Sequence, residues 1–185
     1  LQLLVLAEPL AVEVAAHLRA SLAGAGPAIT SKSTPTDLVT ELDTWAEAHI
    51  TERILAARPD DAIQGEEGAD VAGTSGVTWC VDPIDGTVNF VHAIPGFCVS
   101  IAAQVGGRTV AAVVASPLHD EVFTATLGGG AACNGSPIRC AKPTSLARSV
   151  VATGFGYDPA RRTRQAAVVT QVIGQIADIR RFGAA

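Results

Sequence analysis

The residues best suited to chemistry are Asp82 and Asp85 in the run Trp79-Cys80-Val81-Asp82-Pro83-Ile84-Asp85-Gly86-Thr87. An apolar segment delivers these two carboxylates, three positions apart, into a turn that contains glycine, which is how a site for a hard divalent cation begins. Magnesium takes oxygen ligands and binds through one or two carboxylates, waters and a substrate phosphate, so two aspartates with the carbonyl of Ile84 between them suit it. Asp85 is also placed to cap a helical turn starting at Gly86-Thr87, whose amides would then face an anion. Taken singly, Asp-Pro and Asp-Gly are more often plain turns. The nine residues together favour chemistry.

A second acidic pair, Glu66-Glu67, follows the short apolar Ala62-Ile63 and Gly65. Neighbours in an extended chain point to opposite faces, so only one glutamate can share a cation with Asp82. Glu66 is the expected ligand, leaving Glu67 to outer contacts or a bound water; a solvated loop is the plainer use of such residues. A third group lies in Lys32 to Asp43, where Thr40 and Asp43 share a helix face. A hydroxyl and a carboxylate one turn apart would orient a water or a threonine from another segment, although acidic residues also simply favour helix starts.

These groups need elements to hold them. Leu10, Val14, His17 or Leu18, and Leu22 give a first helix its apolar face, with His17 at the core edge rather than a ligand. Thr36 or Asp37 is the expected cap of a second helix, in which Leu42, Trp45, Ala46, Ile50, Ile54 and Leu55 recur until Arg58-Pro59. Val77 to Val81 reads as a buried strand that Pro83 should expel from the sheet. Phe97 to Val105, Thr109 to Ala115 and Glu121 to Ala125 read as an antiparallel meander, turning at Gly106-Gly107 and at 116–120. Gly128 to Gly130 and Asn134-Gly135 punctuate a further hairpin. Ser149 to Thr153 starts another strand, and Pro159 to Ile179 reads as one long helix. His92 suits packing and His119 a turn.

The 185 residues, 48% of them hydrophobic and 17% charged, suffice for a substantial core. A formal charge of -5, with dispersed basic residues, makes nucleic acid an unexpected partner. Cys80, Cys98, Cys133 and Cys140 show no Cys-x-x-Cys spacing and read as buried free thiols of a reducing, cytoplasmic compartment, a Cys133–Cys140 bridge being the alternative. The apolar start at Leu1 to Leu6 is too short to span a membrane, and no membrane partner is expected. No Walker or complete Gly-x-Gly-x-x-Gly pattern is present.

In order and spacing, Lys32 to Asp43, Gly65-Glu66-Glu67, and Asp82 to His92 resemble the signatures of the inositol monophosphatase family of magnesium-dependent, lithium-sensitive phosphatases. The resemblance implies an α+β fold, a layered αβαβα sugar-phosphatase sandwich, with residues 1–145 as an N-terminal lobe and 146–185 opening a second lobe. It implies that Glu66, Asp82, the carbonyl of Ile84 and Asp85 hold two or three Mg²⁺ ions, Asp85 bridging two of them. Thr87 and Asp43, helped by Glu66, would activate the attacking water. Asp85, Gly86, Thr87 and Lys32 would serve the substrate phosphate and the closing of the site. A homodimer is implied as well. The family's later Trp-Asp signature and an initiator Met are both absent from these residues, so the sequence reads as truncated at both ends.

The expected activity is therefore hydrolysis of inositol monophosphate or a related sugar or polyol phosphate by a metal-activated water. Fructose bisphosphatases, nucleotide bisphosphate phosphatases and histidinol phosphatases share the same metal logic. Haloacid-dehalogenase-like phosphatases place their two aspartates two positions apart, unlike Asp82 and Asp85. A regulatory module binding protein or RNA is the reading from a different class, because bacterial relatives of the family have transcription-linked roles.

Overall fold

The computed structural model describes residues 2–22, 29–31, 38–142 and 145–184. Helix α1 (Gln2–Ser21) precedes a short antiparallel pair, β1 (Ile29–Ser31) and β2 (Leu38–Thr40), and then helix α2 (Glu41–Ala57). Strands β3 (Ala62–Gly65) and β4 (Val77–Asp85) follow, then the five-residue helix α3 (Thr87–Val91). The meander continues through β5 (Cys98–Val105), β6 (Arg108–Ser116), β7 (Glu121–Thr126), β8 (Gly130–Cys133) and β9 (Ser136–Ile138). Strands β3 to β9 form one sheet in chain order, parallel only between β3 and β4. The expected α+β class and meander are both present.

Alternation in the strands builds the core. Trp79 and Val81 of β4, Val99, Ile101 and Ala103 of β5, and Ala111, Val113 and Ala115 of β6 are all buried, as period-two patterning requires of one sheet face. Leu10, Ala11, Val14 and Leu18 of α1 and Ala46, Ile50 and Ile54 of α2 belong to the same buried cluster. Trp45, expected on the inner face of α2, instead lies at the surface between His17 and His49, with ring centroids 4.0 and 5.3 Å away. His17 is thus a surface stacking residue.

Three boundaries differ from expectation. The cap of α2 is Thr40, whose hydroxyl accepts from the amides of Leu42 and Asp43. Pro83 does not end β4: the strand carries on to Asp85 through a register shift, because a bulge accommodates the missing donor. The last predicted helix is shorter, since α4 (Pro159–Val172) gives way to a 3-10 turn at Ile173–Gln175. Asp178–Arg180 is then strand β11, lying parallel to β10 (Val150–Ala152). The crossover β10-α4-β11 uses Asp158 as its helix cap, bonded to the Arg161 amide at 2.6 Å. All four cysteines are free thiols, so Cys133 and Cys140 are not bridged, but of the four Cys98 alone is buried: Cys80 and Cys133 are half-buried and Cys140 is exposed.

Between α2 and β4 the chain is fastened by Asp61, only 1% exposed. Its carboxylate pairs with Arg58 and accepts from Ser75 Oγ at 2.6 Å and Trp79 Nε1 at 2.8 Å. Burial pushes this carboxyl up, but the hydrogen bonds from Arg58, Ser75 and Trp79 outweigh it and hold the group below the usual carboxylate range. A depressed folded-state value means that the stabilisation is complete above the unfolded carboxyl's pKa of about 3.9 and is lost as pH falls through the folded value. Asp61→Asn should cost on the order of 2 kcal/mol at pH 7. In urea unfolding of both proteins, that gap should shrink once the pH drops below about 4; a gap constant with pH would contradict this account.

Candidate active site at the end of strand β4

The bulge in β4 decides where the two aspartates point. Asp82 pairs with Ser100 and Asp85 with Cys98, so three steps along β4 answer two steps along β5. In a regular strand, residues three apart face opposite sides; one extra residue returns Asp85 to the side of Asp82. Pro83 and Ile84, within the bulge, are buried, while both aspartates are half-buried. Asp85 Oδ2 receives the Cys98 thiol at 3.6 Å. The Asp82 Oδ1 atom is buried.

Glu66 reaches the same edge because its amide donates to the carbonyl of Val81 at 3.1 Å, extending the parallel β3–β4 pairing by one residue. Its side chain is exposed. Backbone placement therefore gathers Glu66, Asp82, Asp85 and the Ile84 carbonyl at one strand end, although among the described residues no three His, Cys, Asp or Glu side chains are gathered closely enough to enclose a metal ion. As a donor set these groups fit an oxygen-seeking cation, being all carboxylate or carbonyl oxygen.

Behind the aspartates lies a relay anchored on helix α2. Asp43, 1% exposed, accepts through Oδ2 from the Thr40 amide at 2.8 Å and the Thr40 hydroxyl at 2.6 Å. Its other oxygen, Oδ1, accepts from Thr87 Oγ1 at 3.2 Å. Thr87 also lies 3.0 Å from the Ile84 carbonyl, so its single hydroxyl hydrogen has two acceptors within reach. The expected grouping of Thr40, Asp43 and a threonine of another segment is observed.

Asp85 is not the cap of the following turn; it ends β4, and Gly86 occupies the cap position of α3 with φ 91°. Glycine is required there twice over, by the left-handed conformation and because an added Cβ would lie 2.8 Å from the Gly96 carbonyl. Asn89 then ties the turn to the chain's last residues, donating to the carbonyls of Gly96 at 2.7 Å and Phe182 at 2.9 Å. Asp85 thereby lines a cleft with Thr153, Phe155, Tyr157 and Arg181. His92 is exposed just beyond α3, and His119 Nδ1 meets Ser116 Oγ at 3.0 Å in its turn. Lys32 lies outside the described residues.

Two contributors escaped the sequence reading. Glu47 on α2 is buried and bonds the amides of Glu67 and Ala69. Asn89 sits within the signature but reads as an ordinary helix residue; only its partners, distant in sequence, reveal its function.

Comparison with known proteins matches this arrangement to others. The model of the inositol monophosphatase family matches residues 2–185. The inositol-1-monophosphatase of Mycobacterium leprae is 42% identical over all of this chain and 69% of that relative. The Nus factor SuhB of Escherichia coli K12 is 40% identical over 80% of this chain and 57% of its own length. Among solved structures, the Thermotoga maritima IMPase superposes with TM-score 0.88 at 31% identity, covering all of this chain and 69% of that one. Fold and site define a phosphatase of the layered α+β type. The chain belongs to the inositol monophosphatase family.

The relay makes the cap of α2 part of the site. Thr40→Ala removes the hydroxyl bonded to Asp43 and should cost about 1 kcal/mol in chemical denaturation, whereas Thr40→Ser should recover most of it. Equal losses for both variants would show that the methyl, not the hydroxyl, matters.

Proposed function

We propose that the protein containing this chain hydrolyses a phosphomonoester of inositol or of a related sugar or polyol, with Mg²⁺ as cofactor and without a covalent phosphoenzyme. The observation that carries this reading is the β4 bulge, which turns Asp82 and Asp85 to one face beside the buried pair Asp43 and Thr87. Glu66, Asp82, Asp85 and the Ile84 carbonyl would hold the ions. Bound there, Mg²⁺ supplies a water of lowered pKa and charge compensation for the phosphoryl oxygens and the leaving alkoxide.

This chain's own groups orient the reaction. When the Thr87 hydrogen is directed to Asp43, the hydroxyl's lone pairs are left to accept from the attacking water and align it with the phosphorus. Asp43 keeps that direction because Thr40 occupies its other oxygen. Glu66, closing from the solvent side, accepts a proton from the same water. The amides of Gly86 and Thr87 would face the substrate phosphate. The cleft beside Asp85 receives the alcohol portion.

The division into a first lobe at 1–145 and a second opening at 146–185, the homodimer and the cytoplasmic setting belong to the same proposal. They rest on the resemblance and on composition; no helix among the described residues is long and apolar enough to cross a membrane. A second reading, a regulatory module binding protein or RNA, is favoured by the relative named a Nus factor. Magnesium binding without phosphate release from inositol 1-phosphate or other polyol phosphates would favour that module.

Asp85→Asn in the whole protein should lower phosphate release at saturating magnesium at least about a hundredfold, on the order of 3 kcal/mol in the barrier. Near-normal turnover would refute the ligand assignment. Chelation of divalent ions should abolish turnover of the unmodified protein, and added magnesium should restore it; turnover that survives chelation would rule out the metal-activated water.

A further inference from the structure

Asp43 and Glu47 stand one helical turn apart on α2. Both are buried, at 1% and 3% exposure, within the stripe that also carries Ala46, Ile50 and Ile54 into the core. A carboxylate in such a place is costly unless hydrogen-bonded, and each finds partners in a different part of the site. Asp43 bonds Thr87. Glu47 Oε2 accepts from the Glu67 amide at 2.7 Å and Oε1 from the Ala69 amide at 2.8 Å.

We propose that Glu47 is a positioning residue whose carboxylate fixes the turn 65–69 and so presents Glu66 to Asp82 and Asp85; this rests on the metal-site reading above. Glu66 is held from both sides. Its own amide is bonded to Val81 of β4, and the next amide in the chain is bonded to Glu47 of α2. Gly65 supports the arrangement from below, because a Cβ there would overlap the Glu47 carboxylate. The carboxylate lies against bare backbone, so the turn and the helix are fitted to one another. Groups that orient ligands from behind typically change metal affinity about 10- to 100-fold when altered.

The test uses the whole protein. In its metal-free state the amides of Glu67 and Ala69 should be protected from hydrogen exchange; free exchange at both would overturn the proposal without any variant. Glu47→Gln leaves one acceptor oxygen for two amides. It should raise half-saturating magnesium about tenfold, lower turnover at saturation less than about threefold, and speed exchange at Glu67 and Ala69 but not at Ile101 or Val113. Gly65→Ala should produce the same pattern by displacing the carboxylate, and it decides the matter if Glu47→Gln does not fold. Unchanged magnesium dependence, or faster exchange spread evenly through the sheet, overturns the proposal. Asp82→Asn separates the two levels: lost magnesium binding there with normal binding in Glu47→Gln strikes only at Glu47, whereas normal binding in Asp82→Asn strikes at the metal site itself.

Discussion

One extra residue in β4 is the constraint on which the site depends. Without it, Asp82 and Asp85 would stand on opposite sides of the sheet, one of them toward the buried layer of α1 and α2. The bulge changes that parity at the price of one interrupted hydrogen-bonding step, and Pro83 is the residue that loses least there because it has no amide hydrogen to leave unpaired. Ile84, buried beside it, anchors the distortion in the core. A strand end, a proline and an isoleucine thus set the facing of two carboxylates.

Acidic residues divide by burial into two kinds. Asp43, Glu47 and Asp61 are almost wholly inaccessible, and each is bonded to several donors: Thr40 and Thr87, two loop amides, or Arg58, Ser75 and Trp79. Satisfied in this way, a buried carboxylate is a rigid joint between elements that have no covalent reason to meet. Glu66, Asp82 and Asp85 keep access to solvent. The first kind holds the backbone still; the second kind is what a reagent can reach.

The family was legible in the sequence because its motif is local. Asp82 to Thr87 fall within six consecutive residues, and no fold knowledge is needed to see them as one group. The meander was equally plain, since alternation and glycine turns set it residue by residue. What stayed hidden was whatever depends on partners distant in sequence. Glu47 on a helix reads as a solvated charge until the Gly65 turn is seen against it, and Asn89 until Phe182 is. Thr40 lost the cap to Thr36 or Asp37 in the sequence reading because several good capping residues lie close together, and only the fold selects among them. Proline's effect on β4 was misjudged for a related reason: propensity tells that a ladder bond is missing, not that a bulge absorbs the gap.

The two kinds of carboxylate also explain why α2 can serve two segments at once. A helix repeats its facing every three or four residues, so Asp43 and Glu47 reach out from successive turns toward the Thr87 turn and the Gly65 turn. Any tilt of α2 moves both contacts together, and the relative placement of Thr87 and Glu66 is then set by a single rigid body. Glu66, Asp82 and Asp85 repel one another when no cation lies among them, a force that would spread flexible loops apart. Rigid fastening behind them, through the buried Asp43 and Glu47 carboxylates, opposes that spreading.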